Sequence, residues 1–148
     1  MSSILILIGL VIGVFLPLQA GVNVRLGQFA GHPAIAALIS FLIGTVVLVF
    51  VSLGIRPPWP DLFSRLGEAP WWAWLGGVLG ANYVLMAIIL APRLGAATLI
   101  ALTVTGQMVS SIVIDHYGIL GYPVHPISLV RIAGAALLVV GVLLIQRV

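Results

Sequence analysis

Polar side chains interrupt the long apolar runs of this sequence, and their chemistry is uncharged hydrogen bonding. They are amides, hydroxyls and one phenol, which either bind a neutral or weakly charged ligand or bond to a neighbouring helix. Within a membrane such a group must find a partner, line a cavity or lie at the edge of the bilayer, so these residues are the candidates for a ligand site. The candidates are Gln19, Asn23, Asn82, Tyr83, Gln107, Ser110 and Ser111.

Two of these amides, Gln19 and Asn23, lie four residues apart, so on a helix they share one face. They follow Pro17, whose ring prevents the normal hydrogen bond to the carbonyl of Gly13. A kink there would leave a carbonyl free for a ligand, water or a neighbouring helix. We therefore predict a hinge at Gly13 and Pro17. The alternative is that the two amides only join this helix to another one.

A second polar stripe surrounds Gln107. Thr103, Gln107, Ser110 and Ser111 fall within roughly a 100° arc when residues are placed at 100° intervals around a helix. One polar stripe on an otherwise apolar helix is typical of a cavity lining or of a polar seam between helices. Both interpretations stay open, and Gln107 is the strongest candidate for a ligand contact.

Charged residues lie mostly at the ends of the apolar runs or in the connections between them. Asp115 closes the fourth run and Arg131 lies about one turn inside the fifth, on the same side of the membrane. An ion pair between them would lower the burial cost of both and could act as a gate. The alternative is that each reaches the lipid headgroups separately. Because no carboxylate lies in the middle of a run, exchange of a proton for an organic cation is poorly supported.

The composition defines the elements that position these groups. Of the 148 residues 62% are hydrophobic and 6% are charged, with a mean hydropathy of +1.31, whereas soluble domains have roughly 25% charged residues. We predict an all-α integral membrane protein with one transmembrane domain, residues 1–148, in contact with the lipid bilayer. At about 20 residues per crossing there is room for five spans. They are predicted at about 3–24, 33–53, 71–90, 95–114 and 127–145, with an interfacial loop at 54–70.

Several function classes are excluded by the same composition. The six arginines are scattered singly, which argues against nucleic acid as a partner. Cysteine is absent, and three separated histidines and three acids make a metal site improbable, so we expect no metal and no cofactor. No nucleophile, base and orienting group share a depth, so we expect no enzyme.

Small residues recur at four-residue spacing in three of the spans, which permits close approach of helices. We assign these residues to helix packing rather than to chemistry. They are Gly9 and Gly13, Ala36, Ser40 and Gly44, and Gly76 and Gly80.

Arginine is distributed evenly between the two predicted faces of the membrane. With five crossings, one face holds Arg56, Arg65 and Arg131, and the other holds Arg25, Arg93 and Arg147. Orientation follows the excess of Lys and Arg on the cytoplasmic face, so an even count gives no preference. Our hypothesis is dual topology, with two copies forming an antiparallel homodimer and a ten-helix inverted repeat. The alternative is that Arg131, inside its helix, counts less and one orientation is fixed.

Motifs along nearly the whole chain resemble the small YdcZ-like family of bacterial inner-membrane proteins, within the drug/metabolite transporter superfamily. The resemblance implies a five-helix half-transporter of the inner membrane that works as an antiparallel dimer or as two paired or fused halves of opposite orientation. The first-helix glutamate of the four-helix multidrug relatives has no counterpart here. The motifs are residues 17–23, 36–44, Gly76, Gly77 and Gly80, residues 91–96, Gly106 and Gln107, residues 111–116 with Gly118, and Arg131, Gly134 and Gly141.

These observations together predict a secondary-transporter module. Two antiparallel copies would move a small neutral or weakly charged organic metabolite, or a lipophilic compound, by alternating access. One alternative is a small dual-topology channel, which has the same charge pattern but needs a continuous polar path. Another is a structural or regulatory membrane subunit without a ligand.

Overall fold

Helices account for almost all of the chain that the structure describes. The computed structural model describes residues 3–55 and 59–146, with the side chains of residues 59, 60 and 63 excepted. Arg56 and Arg147, used in the orientation count, lie outside the described residues. Within the described ranges there are six α-helices: α1 Ser3–Ala30, α2 Pro33–Ile55, α3 Trp59–Gly67, α4 Leu75–Leu94, α5 Ala96–Tyr117 and α6 Leu129–Ile145. Short 3-10 turns lie at Trp71–Trp74 and Ile119–Gly121.

Four helical segments of the described chain are long and apolar enough to cross a membrane. They are α1, α2, Trp71–Leu94 and α5, with mean hydropathies between 1.8 and 2.8. α6 has 17 residues, about 25 Å at the rise of an α-helix, against a hydrocarbon core of about 30 Å. The all-α membrane fold is therefore present, and a fifth crossing by α6 remains a prediction.

The first helix is longer than the predicted span. α1 passes Val24 and ends at Ala30, because no residue in between breaks a helix. Gly31 ends it with a φ of +73°, which favours glycine. Arg25 therefore lies inside the helix instead of in the turn. Its Nη1 donates a hydrogen bond to Oε1 of Gln28 at 2.7 Å.

The helices of the second hairpin also extend beyond the predicted spans. α4 runs through Pro92 to Leu94 rather than ending near Leu90. Pro92 lacks the N–H that would bond to the carbonyl of Ile88, and the helix ends two residues later. The turn is reduced to Gly95, whose φ is +80°. α5 then continues to Tyr117.

The predicted interfacial loop contains the amphipathic helix α3. Asp61 lies in its first turn and Arg65 in its last turn, an arrangement that complements the helix dipole. The 3-10 turn that follows carries Trp71, Trp72 and Trp74, all exposed. An amphipathic helix followed by exposed tryptophans is typical of the membrane–water interface.

The chain divides into two compact units. One is Leu18–Pro92, and the other consists of Met1–Pro17 with Arg93–Val148. The boundary within α1 falls at Pro17, the residue predicted to be part of a hinge. The hinge itself remains a prediction.

In the unit Leu18–Pro92, small side chains form the contact between α1, α2 and α4. A Cβ atom placed on Gly27 would lie 3.4 Å from Cγ2 of Ile88 and 3.7 Å from Cβ of Ala36, which is ordinary contact distance. Ala36 is completely buried, and the core cluster is completed by Ala37, Val84 and Ile88. Glycine and alanine at these positions allow the helices to approach closely.

In the other unit, the loop between α5 and α6 folds back on the end of α5. The backbone N–H of His125 donates to the carbonyl of Asp115 at 2.8 Å. The N–H of Ile127 donates to Nδ1 of His116 at 3.2 Å. Gly118 caps α5 with a φ of +62°, so the chain reverses there. These bonds fix the start of α6 against the end of α5.

Candidate functional site

The residues predicted to bind substrate are divided between the two units. Gln19, Asn23, Asn82 and Tyr83 belong to the unit Leu18–Pro92, whereas Gln107, Ser110 and Ser111 belong to the other unit. Each set has its own surroundings. A cavity shared by both sets remains a prediction.

Asn23 on α1 is a buried amide with an unused donor. Only 3% of the residue is exposed, and among the described residues its Nδ2 has no hydrogen-bond acceptor. Leaving a buried donor unsatisfied costs about 1–3 kcal/mol. Gln19, one turn earlier, is exposed on the surface of the single chain. α1 thus carries one buried amide, Asn23, and one exposed amide, Gln19.

Asn82 on α4 lines a groove in the same unit. The groove has a volume of about 380 Å³ and is otherwise apolar, with walls formed by Ala34, Ala37, Leu38, Phe41, Ala81 and Leu85. Nδ2 of Asn82 donates to the carbonyl of Val78 at 3.0 Å, so the helix already uses one of its donors. Tyr83, which follows it, packs against the core cluster instead. Asn82 is therefore the groove's polar group, and Tyr83 contributes to packing.

The hydroxyl stripe of α5 bonds to its own helix. Oγ of Ser110 donates to the carbonyl of Gly106 at 2.9 Å, and Oγ of Ser111 donates to that of Gln107 at 2.6 Å. Thr103 donates to earlier carbonyls in the same way. These hydroxyls need no second helix as acceptor. Gln107 is exposed on the surface of the single chain.

Asp115 and Arg131 form an ion pair beside a second groove. Nη1 of Arg131 lies 3.2 Å from Oδ2 of Asp115, and the side chains are 35% and 27% exposed respectively. The groove lies between α5 and α6 and has a volume of about 270 Å³. Its lining residues are Met108, Ser111, Ile112, Asp115, Arg131, Gly134 and Ala135. The structure therefore brings three of the predicted residues together, and the gate role of the pair remains a prediction.

Four residues of this groove were not singled out as site residues from the sequence. Met108 and Ile112 precede Asp115 by seven and three residues, whereas Gly134 and Ala135 follow Arg131 by three and four residues. These spacings place each set on one face of its helix. The sequence contains this information as helical spacing from Asp115 and Arg131. It identifies the lining residues only once the ion pair between these two residues is known to form.

The packing glycines have different surroundings. A Cβ on Gly80 would lie 3.6 Å from Cζ of Phe41, whereas Cβ atoms on Gly9, Gly13, Gly44 and Gly76 would have no neighbour within 4 Å in the described chain. Gly80 thus allows a contact inside one chain. The other four have open space around them in the described chain. Of the α2 positions, Ala36 is buried and Ser40 is half-buried.

Comparison with known proteins gives one family. The family described as "Putative inner membrane exporter, YdcZ" matches residues 4–144. The chain is 31% identical over 135 residues to the inner membrane protein YdcZ of Escherichia coli (strain K12), which covers 91% of this chain and 89% of that protein. No solved structure matches the chain. The chain therefore belongs to the YdcZ family and is a multi-pass protein of the inner membrane.

Proposed function

We propose that two antiparallel copies of this chain form a secondary transporter for a small neutral or weakly charged compound. The observation that carries the proposal is the unused donor of Asn23, which is buried in an apolar helix and lacks an acceptor in the described chain. A substrate oxygen would satisfy this donor at no further desolvation cost to the protein, because that cost is already present in the fold. Membership of a family described as exporters supports transport as the outcome.

The exposed amides support a second copy. Gln19 and Gln107 lie on apolar helices and are exposed on the single chain. In a bilayer an amide facing lipid is costly, so it favours a position in a cavity or at a helix contact. An antiparallel partner would cover both amides and the open glycine faces. It would also give the inverted repeat from which alternating-access transporters are built.

The ligand class follows from the available groups. Asn23, Asn82 and Gln107 provide amides, and the hydroxyls of Ser110 and Ser111 have acceptor capacity left after donating to their own helix. None of these groups carries charge. They suit a neutral or weakly charged metabolite, or a lipophilic compound with a few polar atoms.

Efflux from proteoliposomes tests the proposal. Vesicles loaded with a defined mixture of neutral amino acids, polyols and nucleosides are followed by mass spectrometry of the external medium. We expect saturable efflux of at least one compound, loss of that efflux in Asn23→Leu, and retention in Gln28→Leu. Gln28 is an amide on the same helix that already bonds to Arg25.

Two results would contradict the carrier. Efflux that rises linearly with concentration at near-diffusive rates would indicate a channel instead. Efflux no faster than from protein-free vesicles for every compound would remove transport of this ligand class. Equal loss in both variants would remove the role of Asn23.

A further inference from the structure

The groove between α5 and α6 combines two opposite charges with apolar walls. Asp115 lies in the last turn of α5 and Arg131 lies near the start of α6, so the charges are at one end of the groove. Met108 lies two turns deeper on α5, and Ile112 one turn deeper. The groove therefore has a charged head and an apolar body.

The ion pair does not use all the hydrogen-bonding atoms of the two charged side chains. The described contact is a single one, from Nη1 of Arg131 to Oδ2 of Asp115 at 3.2 Å. A guanidinium and a carboxylate can make two parallel bonds at shorter distance. Both side chains are partly exposed, at 35% and 27%. A ligand can reach both groups while they remain partly shielded from water.

The loop holds the pair in place. The backbone carbonyl of His125 accepts a weak hydrogen bond from Nη1 of Arg131 at 3.4 Å. The backbone N–H of His125 donates to the carbonyl of Asp115 at 2.8 Å. One loop residue thus contacts both charged residues. The pair is pre-organised, which lowers the ordering cost of binding.

We propose that this groove binds a small zwitterion whose anionic group contacts Arg131 and whose ammonium contacts Asp115, with an apolar substituent between α5 and α6. A ligand with one charge is disfavoured, because an anion at Arg131 is repelled by Asp115 and a cation at Asp115 is repelled by Arg131. A zwitterion satisfies both groups without adding net charge. The volume of about 270 Å³ suits a compound of amino-acid size.

Two classes of compound combine an anionic group, an ammonium and an apolar part. One is a free amino-acid-like compound with an apolar side chain. The other is the phosphoethanolamine head of a phospholipid, which also carries an anion and an ammonium, separated by a longer linker, and whose acyl chain would enter the apolar body. The lining of this groove does not include Asn23, so the inference does not depend on the role proposed for that residue in transport.

Binding to full-length protein purified in lipid-free detergent tests the site. The probes are leucine, leucine amide, which carries only the cation, and 4-methylpentanoate, which carries only the anion. We expect leucine to bind at least about tenfold more tightly than either single-charge analogue, measured by calorimetry. Retention of phosphatidylethanolamine against phosphatidylglycerol, measured by native mass spectrometry, is the arm for the lipid source.

Two matched substitutions of alanine by leucine locate the site. Ala135→Leu fills the groove, whereas Ala133→Leu adds the same volume to an exposed position outside the lining. We expect at least about a tenfold loss of binding in the first variant and little change in the second. The unfolding temperature of both variants without ligand checks that they fold.

The outcomes separate the sources and can overturn the proposal. Tight binding of leucine that Ala135→Leu removes supports a free zwitterion. Selective retention of phosphatidylethanolamine that the same substitution removes supports the lipid head. Equal binding of the single-charge analogues, binding of neither zwitterion, or equal effects of the two substitutions would overturn it.

Discussion

A Cβ atom on Gly118 would lie 2.8 Å from Cγ2 of Val124, closer than side chains pack in folded proteins. Gly118 also has a φ of +62°, a conformation that is strained for residues with a side chain. The loop between α5 and α6 therefore depends on this glycine for its closure. The hydrogen bond from the N–H of His125 to the carbonyl of Asp115 joins this loop to the end of α5.

We expect Gly118→Ala to destabilise the protein by about 1–3 kcal/mol, since it adds both backbone strain and the clash with Val124. The matched control is Gly121→Ala, where φ is +83° but a Cβ has no neighbour within 4 Å. Thermal unfolding in detergent measures both. A cost for Gly121→Ala as large as that for Gly118→Ala would show that the contact with Val124 is unimportant.

Asn23→Leu is expected to leave the stability of the ligand-free protein unchanged or to raise it by about 1–3 kcal/mol. The reason is that the substitution removes a buried donor without an acceptor and keeps a side chain of similar size. Denaturant unfolding in detergent, without added metabolites, measures the change. A clear loss of stability would mean that Asn23 joins helices, as in the alternative interpretation of the first polar stripe.

The two glycines of α4 should separate folding from assembly. Gly80→Leu places extra atoms against Phe41, and we expect it to cost about 1–3 kcal/mol of unfolding free energy. Gly76→Leu meets no neighbour within 4 Å in the described chain. We expect it to leave unfolding unchanged and to weaken the dimer. Unfolding curves and analytical ultracentrifugation in detergent measure the two effects. A stable dimer in Gly76→Leu would remove this face from the interface.

The sequence predicts the helices better than their ends, and the reason is local. Apolar runs define where a helix crosses the bilayer, whereas hydrogen bonds define where it stops. Arg25 is typical of a span end, yet α1 continues to Ala30 because a charged residue does not break a helix. Pro92 is likewise accommodated in the last turn of α4. The real stops are Gly31 and Gly95, both with positive φ.

The sequence predicts the partners of the charged residues in the candidate site better than those of the serine hydroxyls. An apolar environment favours pairing of these two opposite charges. The sequence places Asp115 near the end of α5 and Arg131 near the start of α6, on the same predicted face of the membrane. A serine on a helix has two equivalent choices, a ligand or the carbonyl four residues earlier. Ser110 and Ser111 take the second choice, which spacing alone does not distinguish. The contacts of His125 depend on a loop conformation that no helical or strand periodicity describes.

Orientation in the membrane should respond to small changes in arginine count. The two predicted faces carry three arginines each, so one or two added charges should decide which face is cytoplasmic. With five crossings, the C-terminus shares a face with Arg25 and Arg93. A fluorescent protein fused there is bright only in the cytoplasm, and alkaline phosphatase is active only outside it. We expect both fusions of the unaltered chain to give signal.

Two matched double variants test this charge rule in opposite directions. Gln28→Arg with Gln146→Arg adds two charges to the C-terminal face, so we expect fluorescence only. Ser64→Arg with Glu68→Arg adds them to the other face, so we expect phosphatase activity only. The even count matters because an antiparallel dimer needs both orientations of one chain. If the unaltered chain gives one signal alone and neither double variant changes it, its orientation is fixed by something other than arginine, and the antiparallel homodimer is wrong.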